Sequence, residues 1–291
     1  MASNDKDRKQ RIEALKASPS YRQAHLDPDF MGRDELRPVR LELELLKPEL
    51  VQTEEGVEST IVVFGGTRIL SREGGEKQLA QAQAALAASP DDADLQRNVR
   101  IAENVIKKSS YYDEARELAR IVSSTCQIDG KCDYVIVTGG GPGIMEAANR
   151  GAHDVEAKSI GLNITIPHEQ EPNSYITPEL CFEFKYFAVR KMHFLMRAKA
   201  MIAFPGGFGT MDELFETLTL IQTGRMDKIP VILFGRDYWD KLIHWETFVE
   251  EGTITPSNMD LITYAETATG AWGIIADFYK MHPQPKLPRG Q

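Results

Sequence analysis

The chain has 291 residues, 42% of them apolar, with a formal net charge of -9 and an isoelectric point near 5.3. That length suits one large domain with additions and a substantial core. The acidic balance argues against nucleic acid or an anionic membrane as a partner, since both need a positive surface. A small nucleotide held in one local positive pocket remains compatible with it.

No apolar run is long enough to span a bilayer, and the charged residues 1–20 lack the hydrophobic stretch of a secretory signal. Cys126, Cys132 and Cys181 form no Cys-x-x-Cys pair and no zinc-type spacing. The expectation is a cytoplasmic protein with free thiols.

Residues 1–58 read as a polar N-terminal arm broken by Pro28, Pro38 and Pro48; Leu41, Leu43, Leu45 and Leu46 suit a short helix that Pro48 ends. The apolar run over 61–64 reads as the first buried strand, and it delivers Gly65-Gly66-Thr67-Arg68. This is not a Gly-x-Gly-x-x-Gly fingerprint, but Thr67 offers a ligand a hydroxyl and Arg68 a fixed positive charge. Residues 71–108 read as an inserted helical hairpin, with a stop and restart at Ser89-Pro90-Asp91. Ala115, Leu118, Ala119 and Val122 then mark the apolar stripe of a helix packed on the sheet.

A second strand over 134–137 runs into Thr138-Gly139-Gly140-Gly141-Pro142-Gly143 and a helix over 144–155. Strand, glycine loop and helix N-terminus together aim free backbone N–H groups at an anion. Glu146, in that helix's first turn, can complement the macrodipole or accept hydrogen bonds from a ribose hydroxyl or a leaving base. A third strand over 159–166 ends at Pro167, and His168 in the polar loop beyond is left out of the chemistry. A short strand over 182–184 precedes a helix over 185–199. Its apolar side is read as Phe187, Met192, Leu195 and Met196, and it carries the cations Arg190, Lys191 and Arg197.

The most informative stretch is 198–216. An apolar strand over 201–204 stops at Pro205. Gly206, Gly207 and Gly209 follow, and Thr210 reads as the N-cap of an amphipathic helix bearing Leu214, Phe215 and Leu218. Glu213 then falls at the N3 position of a capping box, one turn into the helix at the mouth of an anion site. A carboxylate beside a phosphate cradle is electrostatically awkward, which hints at chemistry there. A strand over 230–234, a helix over 238–251, an apolar step at Leu261-Ile262, a helix over 266–281 and a proline-rich tail over 283–291 complete the chain. Four or five apolar strands alternating with helices imply an α/β doubly wound parallel sheet, Rossmann-like, over 59–282, with its crevice beyond the strand C-termini.

The string Pro-Gly-Gly-Phe-Gly-Thr-Met-Asp-Glu, 205–213, resembles the Pro-Gly-Gly-x-Gly-Thr-x-x-Glu signature of the LONELY GUY (LOG) family. Its members are nucleoside 5′-monophosphate phosphoribohydrolases long mislabelled as lysine decarboxylases. Thr-Gly-Gly-Gly-Pro-Gly-Ile-Met-Glu-Ala-Ala-Asn-Arg-Gly, 138–151, resembles the family's first glycine motif, and Arg190-Lys191 its Arg-Lys pair. The likeness covers roughly 60–279 and leaves the arm and the 71–108 insertion outside the compact pattern.

Carried over, the essential arginine falls on Arg190 and the essential glutamate on Glu213. The phosphate loop falls on Gly206, Gly207, Gly209 and Thr210. Gly139, Gly140, Gly141, Glu146, Lys191 and Thr67 complete the expected substrate contacts, and Asp212 keeps the charge of a residue often Glu in the family. The resemblance implies hydrolysis of the N-glycosidic bond of a nucleotide such as AMP or a cytokinin ribotide, with no metal or cofactor, in a homodimer or higher homo-oligomer. Decarboxylation of an amino acid needs an electron sink, usually pyridoxal phosphate on a lysine, and Lys199 has no partner for a pyridine nitrogen. The rival reading is a non-catalytic nucleotide or molybdenum-cofactor carrier of the same fold. A third is a nucleotide sensor with 71–108 as its responsive part.

Overall fold

The computed structural model describes residues 2–127, 132–166 and 171–281; Pro167, His168 and the proline-rich tail lie outside the described residues. Two compact units divide the chain, residues 1–47 and 48–291. The first holds α1 (Ala2–Ala17), α2 (Pro28–Met31) and the start of α3 (Arg37–Glu54). Asp27 caps α2, its Oδ1 accepting the N–H groups of Asp29 and Phe30 at 3.1 Å each, with Pro28 in the first helical position.

Pro48 does not end a helix: α3 runs through it to Glu54. Proline lacks the N–H that a helix interior uses, so the ladder loses one bond to the turn before it. Beyond it, Arg197 ties down the end of α3, donating to Glu49 Oε2 at 2.9 Å, Thr53 Oγ1 at 3.0 Å and the Val57 carbonyl at 2.7 Å. Gln52 is buried as well.

The second unit continues in order with β1 (Thr60–Phe64), the hairpin α4 (Arg72–Ala88) and α5 (Ala93–Lys107), α6 (Ser109–Cys126), β2 (Val135–Thr138), α7 (Ile144–His153), β3 (Ser159–Ile164), β4 (Cys181–Phe184), α8 (Phe187–Met196), β5 (Ala198–Ala203), α9 (Phe208–Gln222), β6 (Val231–Phe234), α10 (Arg236–Leu242), α11 (Trp245–Glu250), β7 (Ile262–Ala265) and α12 (Ala268–Met281). The seven strands form one sheet in the order β4-β3-β2-β1-β5-β6-β7, every pair parallel. This is the doubly wound α/β architecture read from the sequence. The edge strands β4 and β7 are short and partly exposed, so they register in the sequence only as brief apolar steps.

The central strands are buried on both faces, as parallel strands between helical layers must be. Ile61 and Val63 of β1 join the cluster formed with Leu118 and Val122 of α6, Ile144 of α7 and Ile275 of α12; each such side chain contributes roughly 1.5–3 kcal/mol of burial. On the opposite face Phe64 meets Phe194 of α8, ring centroids 4.7 Å apart. The chain steps outward from β1 to β4, returns to place β5 beside β1, and steps outward again. The order therefore reverses at the β1/β5 junction, where the crevice of such a sheet lies.

Two helices differ from expectation. The expected apolar side of α8 faces out: Phe187, Met192 and Met196 are half exposed, while Val189, His193 and Phe194 are buried. The helix stops at Met196, so Lys199 lies in β5. The helix expected over 238–251 is two, because its two tryptophans bury in different places. Trp239 Nε1 donates to the Phe234 carbonyl at 3.0 Å, whereas Trp245 packs on Phe215 and Phe248; extended backbone at Ile243 joins them. Among the described residues no helix is long and apolar enough to cross a membrane.

Candidate active site

Three loops meet at the β1/β5 junction. The loop after β1 is tied to the loop after β5 by the Gly66 N–H donating to the Pro205 carbonyl at 2.9 Å, and to α7 by the Ile144 N–H donating to Gly66 at 3.3 Å. Gly143 has φ +73°, and a Cβ there would collide with the Gly66 carbonyl and the Thr67 backbone. Only glycine permits that approach.

The two glycine loops differ in what they leave free. In the loop after β2, Gly139, Gly140 and Gly141 are buried. The Gly140 N–H donates to Thr138 Oγ1 at 3.0 Å, and Asn173 Nδ2 donates to the carbonyls of Gly140 and Gly141 at 3.1 Å each. Asn149 anchors this frame from α7: its Oδ1 accepts from Thr138 at 2.7 Å and Asn173 at 3.0 Å, and its Nδ2 donates to Ser159 at 3.0 Å.

In the loop after β5, α9 starts at Phe208 with Gly207 as its N-cap. The first amide to bond back into the helix is that of Met211, to Gly207 at 3.1 Å. The N–H groups of Gly207, Phe208, Gly209 and Thr210 thus form the open, positive end of the helix. Phe208 itself is 96% exposed. The expected capping box is absent: Thr210 lies at N3, not the N-cap, because Gly207 and Phe208 already take up the turn. Its buried hydroxyl instead lies over Gly206, where an added Cβ would strike it. Tyr238 holds the loop from the other side, its hydroxyl donating to the Gly206 carbonyl at 2.5 Å.

Glu213 lies one turn into α9 and is 6% exposed. Burial pushes its carboxyl up to about 7; Lys191 and Arg190 pull it down, but Glu216 and Asp212 add to the rise. Arg190, projecting from α8, is the nearby guanidinium. Its Nε donates to the Leu162 carbonyl at the end of β3, 2.8 Å, and its Nη2 would lie 2.6 Å from a Cβ at Gly139. Burial lowers its pKa, and Glu213 partly offsets that. The acid and the guanidinium, 23 positions apart, lie near enough for their charges to interact, with no hydrogen bond or ion pair directly between them.

The neighbouring Lys191 points to α9. Its Nζ lies 2.8 Å from Asp212, 2.8 Å from Glu216 and 3.6 Å from Glu213. Burial would depress this ammonium, yet its bonds to Asp212 and Glu216 leave it above the ordinary lysine value. Glu146 accepts from the Tyr112 hydroxyl at 2.8 Å, and burial first of all raises that phenol to about 12, keeping it a donor. Thr67 and Arg68 are exposed on the loop after β1.

Sequence reasoning missed Tyr112, Asn149, Asn173 and Tyr238, which orient the site. Asn149 alone carried a signal, as an amide within the apolar run of α7. Among the described residues no group of His, Cys, Asp or Glu side chains is placed to hold a metal ion.

Fold and site together define a Rossmann-like α/β protein whose open helix end can receive an anion beside a buried carboxyl and a guanidinium. A family model described as "possible lysine decarboxylase" matches residues 145–275. The cytokinin riboside 5′-monophosphate phosphoribohydrolase LOG3 of Arabidopsis thaliana is 36% identical over 167 residues, covering 56% of this chain and 73% of that one. The probable phosphoribohydrolase LOG6 of the same plant is 33% identical, covering 60% and 84%. Among solved structures, the molybdenum cofactor binding protein of Rippkaea orientalis aligns with a TM-score of 0.43 at 20% identity, over 58% of this chain and 87% of that one. The chain belongs to the LOG family of phosphoribohydrolases.

Proposed function

We propose that this protein hydrolyses the N-glycosidic bond of a nucleoside 5′-monophosphate, releasing the free base and ribose 5-phosphate. The observation that supports the reading is a buried carboxyl, Glu213, one turn into the helix whose amide end is open, 3.6 Å from Lys191, the residue next to Arg190.

The 5′-phosphate binds the N–H groups of Gly207, Gly209 and Thr210, with Gly206 shaping the turn beneath it. That remote contact fixes the ribose for attack, which explains a preference for the monophosphate over the bare nucleoside. Bond cleavage passes through an oxocarbenium-like ribose. The Glu213 carboxylate stabilises that cation and takes a proton from the attacking water. Arg190 offsets the charge that develops on the departing base. Lys191 keeps Glu213 oriented, Glu146 accepts from the ribose or the base, and Thr67 closes the site from the β1 side. Gly139, Gly140 and Gly141 line it beneath Arg190. The half-exposed Phe187, Met192 and Met196 on α8 support self-association, which light scattering measures.

Lysine decarboxylation has no foundation in this site. Lys199 lies near the start of β5, at the strand end opposite the crevice, with its ammonium 5.9 Å from the Tyr279 ring.

The deciding assay incubates the protein with AMP, isopentenyladenosine 5′-monophosphate and other purine and pyrimidine monophosphates, and follows free base and ribose 5-phosphate. Turnover by wild type and its loss in Glu213→Gln with retained nucleotide binding is the expected result. Binding without cleavage of any monophosphate would transfer the protein to the carrier class.

A further inference from the structure

A cleft of about 390 Å³ opens between the loop after β1 and the inserted hairpin, lined by Thr67, Arg68 and Leu70 on one side and Lys77, Gln78 and Gln81 on the other. Its size falls within the range of small-molecule sites. The hairpin residues lie on one face of α4, at helical spacing from Gly74, which also lines the cleft. The other side of α4 is occupied: a Cβ on Gly75 would press on Ile106 of α5. The cleft adjoins the candidate active site through Thr67, whose backbone packs on Gly143 and whose neighbour Gly66 bonds to Pro205.

The charges set this cleft apart. Cations elsewhere in and around the site are engaged: Lys191 by carboxylates of α9, Arg190 by Leu162 and Glu213, Arg197 by Glu49. Glu76, on the same helix as Lys77, is paired with Arg72 at 3.1 Å. Arg68 and Lys77 have no hydrogen-bond or ion-pair partner among the described residues, in a chain whose net charge is -9. Two unpaired cations across one cleft, lined also by Thr67, Gln78 and Gln81, suit an oxyanion. The 5′-phosphate already has the open end of α9 on the β5 side of the junction, so the cleft is available to a different group.

We infer that the cleft between the β1 loop and α4 is a subsite for a second anionic group, a phosphate or carboxylate, borne by the nucleotide in addition to its 5′-phosphate. The hairpin is then a specificity element, and its polar lining is a poor place for an apolar prenyl substituent. This rests on the nucleotide reading of the site.

Binding is measured by calorimetry on the Glu213→Gln background, so that turnover does not interfere and the subsite is tested separately from the reaction. AMP and UMP are the parent ligands. Adenosine 3′,5′-bisphosphate carries the second anion on the ribose, ADP on the 5′ chain, and orotidine 5′-monophosphate on the base. At least one of the three binds more tightly than its parent, by about five- to tenfold, the scale of one charge-assisted contact. Lys77→Glu abolishes that advantage and leaves the parent's affinity unchanged. Lys107→Glu, the same charge change on exposed α5, keeps it. No advantage for any of the three, or an advantage that survives Lys77→Glu, overturns the subsite. Failure of AMP and UMP to bind at all overturns the nucleotide reading beneath it.

Discussion

Replacing Glu213 by Gln should make the protein more stable at neutral and alkaline pH while removing its activity. A carboxyl whose half-titration moves from 4.5 to about 7 costs the folded state about 3 kcal/mol once it is ionised, at ~1.4 kcal/mol for each tenfold change. The folded state holds this proton more tightly than the unfolded chain does. The wild type therefore has its full stability from this group below pH 4.5 and loses it as pH rises through 7. Gln has nearly the same shape and does not titrate. Lys191 is not orphaned by the change, because Asp212 and Glu216 remain at 2.8 Å. The variant should match the wild type near pH 4.5 and exceed it by about 3 kcal/mol at pH 8, or roughly 6 °C in Tm for a chain of this size. Urea and thermal denaturation followed by circular dichroism at both pH values measure the difference. A variant no more stable than wild type at pH 8, or one whose gain is equal at both pH values, refutes the argument that Glu213 is held under strain by its burial. Stability sacrificed at one residue is the pattern expected where chemistry demands it.

Arg190→Lys should lower kcat about 100-fold with the fold intact, since one ammonium cannot both bond Leu162 and face the departing base; steady-state kinetics and circular dichroism together test it. Gly143→Ala should cost more than about 2 kcal/mol in urea denaturation, because the residue is at φ +73° and its Cβ would meet a backbone carbonyl rather than a yielding side chain. Tyr112→Phe removes the donor that orients Glu146, so KM should rise several-fold for a stability loss of about 1 kcal/mol; an unchanged KM would separate Glu146 from the substrate.

The fold was legible where one signal dominated. Continuous apolar runs marked β1, β2, β5 and β6, because burial on both faces leaves no polar position, and the stripe Ala115, Leu118, Ala119 and Val122 marked α6, because burial along one stripe leaves a helical period. The readings failed where a residue answers to two demands. Pro48 reads as a stop, but bonds from Arg197, far along the chain, hold the turn beyond it. Phe187, Met192 and Met196 read as core, yet α8 turns inward the face that brings Arg190 to the β3 end. Thr210 reads as a cap because the Thr-x-x-Glu spacing is that of a capping box; the glycines before it start the helix earlier and leave both side chains buried beside the crevice. At the site, Glu213 stood out by its spacing after the glycine loop, and Arg190 only through the resemblance to the LOG family. Tyr112, Asn173 and Tyr238 could not, since their work is to bond loops distant in sequence, and no local pattern encodes that.

The arrangement on α9 also fixes how the reaction should respond to pH. Glu213 acts as a carboxylate, so kcat/KM, which reports the free enzyme, should rise with pH through about 7 and level off above it. Bound substrate changes the field. A phosphate on the amides of Gly207–Thr210 places negative charge about 8 Å along the helix axis from Glu213, five residues at ~1.5 Å each. At an effective dielectric constant near 20, each such charge raises the cost of ionising the carboxyl by about 2 kcal/mol before Arg190 and Lys191 screen it. The profile of kcat, which reports the complex, should therefore rise at a higher pH than that of kcat/KM, by roughly one unit after screening. If the two midpoints coincide, or if kcat falls as Glu213 ionises, then phosphate and carboxylate do not share this helix end in the way proposed, and Glu213 acts as an acid or not at all.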